Sequence, residues 1–310
     1  MGLDCCNAEQ SFFIVTVSCY ILAVALMWRS ALLKPFKLWT VCLHEFSHAI
    51  AAWATCNKVT GIEINAMEGG LTHWSGRQDR MRCSQHAVLP AGYLGSTLWG
   101  ALTILSCSSV AWAEAMGCIL LSVLGICALY AAFGKTEQER TPLLAVCTGF
   151  GLALGLATFL AIGSSGNGWD LVLYALLLFL GTLNVVFGII DIFDDTLKRT
   201  DARSDAYRFA QLHQIFRPKC VGLVWFLLAV AAFLVTFFLY LTIKQHSDRP
   251  ELGWWAFLPG PVVLGMATVY NGLTSSDCLR LRKKIATANN TPSHPHKPNN
   301  GPEQMVAGQL

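Results

Sequence analysis

The chain has 310 residues, 54% hydrophobic and 13% charged, with a net charge of +3. Soluble domains carry about 25% charged residues, so this composition excludes a soluble globular protein, and the weak charge offers no nucleic-acid partner. A mean hydropathy of +0.48 points instead to a multi-pass membrane protein embedded in the lipid bilayer.

Windows of roughly 20 apolar residues match a hydrocarbon core about 30 Å thick. Eight are present, at about 11–28, 38–56, 87–107, 112–133, 142–162, 169–190, 220–243 and 252–270. The first lacks a basic leader and a small-residue cleavage pattern, so it is expected to stay in the chain. The last is interrupted by Pro259, Gly260 and Pro261, which suggests a kinked or re-entrant segment. Trp28, Trp39, Trp112, Trp169, Trp254 and Trp255 fall near segment ends, where amphipathic rings favour the interface. With the N-terminus in the cytosol, 17 Lys and Arg lie on the cytosolic side and 5 on the other. The positive-inside rule then places both termini in the cytosol.

The second segment contains His44-Glu45-Phe46-Ser47-His48. On a helix, residues four apart share a face, so both imidazoles can reach one Zn²⁺. Glu45 between them is placed to act as general base on water. Ionisable groups inside hydrocarbon are costly and are functional suspects by default. The bland alternative has the histidines bonding to neighbouring helices, with Glu45 protonated or snorkelling.

After this helix, Ile62 and Ile64 alternate with Glu63 and Asn65, and Glu68-Gly69-Gly70 supplies a turn before Leu71-Thr72-His73-Trp74. The pattern predicts a β-hairpin over 60–75, which either caps the helices or aligns an extended peptide by strand addition. Small residues at Ala91/Gly95, Gly92/Ser96 and Gly151/Gly155 predict close helix packing. The final 30 residues, polar and proline-rich, predict disorder.

Two histidines leave a zinc site short of a ligand. Asp191, at the end of the sixth segment, is the expected third, with Asp194 and Asp195 as alternatives. The same acids also fit a solvated helix end followed by Lys198 and Arg199. Ser204-Asp205-Ala206 is a further polar cluster, suited to capping a following helix. One difficulty follows from the segment boundaries. His44 lies early in its helix and Asp191 late in its own, a mismatch of roughly 20 Å if the helices start level.

Taken in order, the HExxH run, Glu68-Gly69-Gly70, Pro90-Ala91-Gly92-Tyr93-Leu94-Gly95, Asp191-Ile192-Phe193-Asp194-Asp195 and Ser204-Asp205-Ala206 resemble the site-2-protease class of intramembrane metalloproteases, in its M50B-like branch. The resemblance implies a zinc-dependent endopeptidase. In it His44 and His48 bind metal, Glu45 activates water, and an Asp completes the site. Glu68, Gly69, Gly70 and Asn184 would position a transmembrane protein substrate. The chain departs from the better-known pattern, since Asn184 and Asp191 have no Pro between them and Ile192 follows Asp191 where Gly is usual.

The expected architecture is an all-α polytopic membrane protein of about seven to eight transmembrane helices with a small β-hairpin after the HExxH helix. An N-terminal segment and loop cover 1–37, the M50B-like metalloprotease core 38–243, an additional transmembrane or re-entrant segment 244–270, and a disordered basic and polar tail 271–310. Two other functions compete with the enzyme: a catalytically inactive pseudoprotease acting as a helix-binding scaffold, and a transporter using the acids as a relay.

Overall fold

The computed structural model describes residues 7–65, 69–134, 140–163, 168–199, 201–213, 216–245, 258–271 and 273–274. One compact unit extends to Thr268; of the second, Val269–Leu310, only 269–271 and 273–274 are described.

Helix α1 (Ala8–Met27) begins with a capping box, in which the Asn7 side chain accepts from the Gln10 backbone N–H at 2.9 Å and the Gln10 side chain accepts in return at 3.0 Å. After a short 3₁₀ turn (Ala31–Leu33), α2 (Lys34–Ala54) starts with Pro35 in its first turn, where a missing N–H costs nothing. Strands β1 (Lys58–Asn65) and β2 (Gly69–Ser75) follow, then α3 (Gln78–Ser106), α4 (Val110–Phe133) and α5 (Thr141–Gly163). Helix α6 (Trp169–Ile192) runs on into a π-helical turn (Phe193–Lys198). The short α7 (Asp205–Leu212) and the long α8 (Pro218–Lys244) complete the described bundle.

Among the described residues six helices are long and apolar enough to cross a membrane: α1, α3, α4, α5, α6 with its π-helical extension, and α8. The HExxH helix α2 has 21 residues but is not among them. Its sequence mixes Lys34, Lys37, His44, Glu45 and His48 with apolar residues, and it lies inside the bundle, with Trp39, Leu43 and Phe46 each under 5% exposed. Trp39, expected at an interface, is therefore a core residue, whereas Trp112 and Trp169 are exposed. Of the expected 252–270 segment, residues 252–257 lie outside the described residues and residues 259–270 are helical.

The hairpin forms as its pattern predicts. β1 and β2 pair antiparallel, with Asn65 opposite Gly69, Ile62 opposite Thr72, and a bulge between Val59 and Gly61. Ile62 and Ile64 are buried against the helices. Glu63 is buried as well, and its carboxylate meets the His73 imidazole at 2.9 Å. At the far end of the bundle α1 docks onto α8: Phe13 stacks on Tyr240 at 3.8 Å, and the Lys244 ammonium sits 2.6 Å from the Glu9 carboxylate, both side chains 7% exposed.

Helices α2 and α6 are staggered. Phe36, near the start of α2, packs edge-on against Phe179, in the middle of α6, with ring centroids 5.2 Å apart. This offset removes most of the depth mismatch expected from helices starting level, because α2 begins part of the way along α6. It also brings His44 and Asp191 to the wall of one cavity.

Candidate metal centre

One turn of α2 carries His44 and His48, whose rings meet edge to face with centroids 4.8 Å apart. Their Nε2 atoms are 3.2 Å apart. The Asp205 Oδ2 lies 3.1 Å from each. Four donors held about 2.0–2.1 Å from a tetrahedral zinc ion lie about 3.3 Å from one another. The observed triangle is close to that spacing, so these three residues fit one such ion and leave a fourth position open. Among the described residues they are the only group of three or more His, Cys, Asp or Glu disposed to hold a metal.

The surroundings fix each donor. His48 Nδ1 donates to the Val88 carbonyl at 2.7 Å, which orients the ring so that Nε2 faces Asp205 and His44. The His44 ring rests edge-on against Tyr93, centroids 5.0 Å apart. Burial alone would raise the Asp205 carboxyl, but the His48 charge and hydrogen bonds with both imidazoles hold it well below the usual carboxylate range. It is thus present as the anion a divalent cation requires.

Asp205 reaches the histidines because of how α7 is built. The Ser204 hydroxyl accepts from the Tyr207 backbone N–H at 3.3 Å and caps the helix, as its sequence suggests. Ala206 and Ala210 bury one face of α7 against Val221, Trp225 and Ala229 of α8 and Tyr93 of α3. At the other end, Arg82 Nη2 of α3 donates to the Leu212 carbonyl at 2.8 Å. Asp205, in the first turn, then projects towards α2.

Glu45 sits beside the triangle, 4% exposed. The Thr72 hydroxyl of β2 lies 2.7 Å from its Oε2 and 2.8 Å from its backbone carbonyl, tying the carboxylate to the hairpin. Gly70 leaves room for it: a Cβ there would stand 2.4 Å from the Glu45 Cγ. Gly92 plays the same part on α3, where a Cβ would come within 2.3 Å of His44 Nε2 and 2.5 Å of His48 Nε2. The Gly92/Ser96 stripe is therefore packing, as expected: Gly92 lies against the pair of imidazoles and Ser96 against α6. In the Gly151/Gly155 pair, a Cβ at Gly155 would meet Leu121 at 3.7 Å, whereas one at Gly151 would meet nothing within 4 Å among the described residues. Gly92→Ala is expected to displace both rings and lower zinc affinity by about 100-fold, the upper range for disturbed ligand orientation; metal analysis after dialysis against a graded chelator measures it.

The other residues singled out by sequence fall into three places. Asp191 lines the cavity but does not belong to the ligand triangle, where Asp205 stands instead. Asp194 and Asp195 pair with Lys198 at 3.1 Å and Arg199 at 3.3 Å, the solvated helix end that was the alternative for them. Gly69 and Gly70 line the cavity, whereas Glu68 lies outside the described residues. Asn184 is 1% exposed at the α3–α6 interface, where its Nδ2 donates to the Ser96 carbonyl at 3.2 Å, and it is not part of the cavity wall. His73, held by Glu63, is not part of it either. Asp205 was not singled out as a candidate donor because it lies 157 residues from His48; the available signal was its place in the Ser204-Asp205-Ala206 block.

The whole cavity, about 320 Å³, is walled by α2, the hairpin, α3, α6 and α7 with its preceding loop. The family model described as Peptidase M50B-like matches residues 17–236. Searches of curated proteins and of solved structures found no match. The matched region holds the HExxH helix, the hairpin and Asp205, and the chain belongs to the Peptidase M50B-like family.

Proposed function

We propose that this protein is an intramembrane zinc metalloprotease that hydrolyses a peptide bond in or near a transmembrane segment of another membrane protein. The main support is the triangle of His44, His48 and Asp205 donors, 3.1–3.2 Å apart, with the Glu45 carboxylate fixed beside it. Zinc held by these three residues would supply Lewis-acid polarisation of the scissile carbonyl and of water.

Glu45 takes the proton from the attacking water and returns it to the leaving amine. Thr72 holds its Oε2, so the second oxygen is the one that exchanges the proton. Gly69, Gly70, Leu71 and Thr72 of β2 border the cavity, so a substrate unwound into an extended strand can align along the hairpin and present its backbone to Glu45. Unwinding is required because a helical peptide bond is shielded by its own hydrogen bonds. The 17 to 5 count of Lys and Arg assumed eight alternating spans; with α2 not among the crossing helices, and Asn7 bonded to the Lys244 carbonyl, it no longer assigns both termini to the cytosol.

The scaffold alternative drew on the missing Asp-Gly pair and on the depth mismatch. Asp205 supplies a donor without that pair, and the α2–α6 stagger reduces the mismatch. The test is metal removal. Purified protein is expected to carry stoichiometric zinc and to cleave a membrane-anchored substrate; chelation should abolish cleavage and added Zn²⁺ should restore it. Protein purified without metal that neither takes up zinc nor cleaves would refute the proposal.

A further inference from the structure

Beyond the ligand triangle the cavity wall has two characters. Val41 of α2 and Phe187 of α6 are apolar, and Phe187 shares a helical face with Asp191, four residues on. The other carboxylates of the wall are engaged. Glu45 is bound by Thr72, Asp205 by two imidazoles, and Asp195 by Arg199. Asp201 accepts from the Arg203 backbone N–H at 2.8 Å. Asp191 forms no hydrogen bond or ion pair among the described residues. Lys37 of α2, near enough to interact electrostatically with Asp191, is turned away: its ammonium donates to the Trp28 carbonyl and lies 4.0 Å over the Trp28 ring. The two basic residues of the wall, Arg203 and Arg208, are solvent-exposed.

We propose that this part of the cavity is a specificity subsite for a lysine or arginine side chain of the substrate, with Asp191 pairing its cationic head. The inference rests on the peptidase reading and deepens it by naming a substrate class. A long basic side chain matches both characters of the wall: its methylene stem lies along Val41 and Phe187 while its head reaches the carboxylate. An acidic side chain in the same place would face Asp191 at short range in a medium less polar than water. Basic residues concentrate at the ends of transmembrane segments on one side of the membrane. The substrates selected are therefore segments with a basic residue flanking the cleaved bond.

The experiment uses full-length protein in detergent and single-span peptides carrying Lys, Gln or Glu at each position flanking the cleaved bond. At the position that occupies the subsite, kcat/KM for the Lys peptide is expected to exceed that for the Glu peptide by about tenfold or more. Asp191→Asn should bring this ratio close to one, Asp191→Lys should invert it, and Asp191→Glu should preserve it. The Asn variant should retain stoichiometric zinc. Equal rates for all peptides with wild type, a preference that survives in the Asn variant, or loss of zinc from that variant would each overturn the proposal. Failure of wild type to cleave any peptide would instead remove the peptidase reading, and this inference with it.

Discussion

Glu45→Gln is expected to lower kcat by about 10³-fold while leaving bound zinc unchanged, within the range general-base catalysis supplies. The substitution separates chemistry from architecture. Glutamine has the shape of glutamate, fits the space left by Gly70, and keeps an oxygen for the Thr72 hydroxyl. It cannot take a proton from water. Because Glu45 is not one of the three metal donors, the charge at the triangle is untouched. Cleavage of a membrane-anchored reporter, together with metal analysis of the same preparation, checks both halves. A Gln variant with wild-type turnover would remove Glu45 from the mechanism.

Asp205→Ala is expected to have the second large effect, by a different route. It removes the only anion in the donor triangle and leaves two neutral imidazoles, so zinc affinity should fall by more than the roughly 100-fold loss that follows disturbance of a mere supporting partner. Activity should fall with it and return in part at high Zn²⁺. Asp191→Ala should retain its zinc, because Asp191 lies outside the triangle. Equilibrium dialysis of the two variants side by side decides which aspartate is the ligand. Zinc lost from Asp191→Ala and kept by Asp205→Ala would return the role to α6.

Local features of the chain were legible. Six of the eight apolar windows, the i,i+4 histidines, the hairpin and the Ser204 cap each depend on neighbours in sequence, and each appears where its pattern places it. Two things were not. The polarity of α2 was read as a membrane span with a costly motif inside it, whereas the helix is sheltered by other helices and the hairpin. The third donor was sought at the end of the sixth apolar segment, where Asp191, Asp194 and Asp195 cluster. Asp205 depends on an eight-residue helix whose docking is decided by Ala206 and Ala210 against α8, a contact with no signature in the spacing of the ligands themselves.

The position of Asp205 also bears on when the protein can become active during its own synthesis. Translation completes α2, with both histidines and Glu45, long before α7 exists. Asp205 then becomes available only once α8 has emerged to support α7, since the apolar face of that short helix packs on residues 221–229. A nascent chain therefore carries an incomplete centre through most of its insertion, while neighbouring membrane segments, including its own, are still unfolded and vulnerable to cleavage. On the peptidase reading, placing the third donor near the end of the bundle makes completion of the centre the final step of assembly.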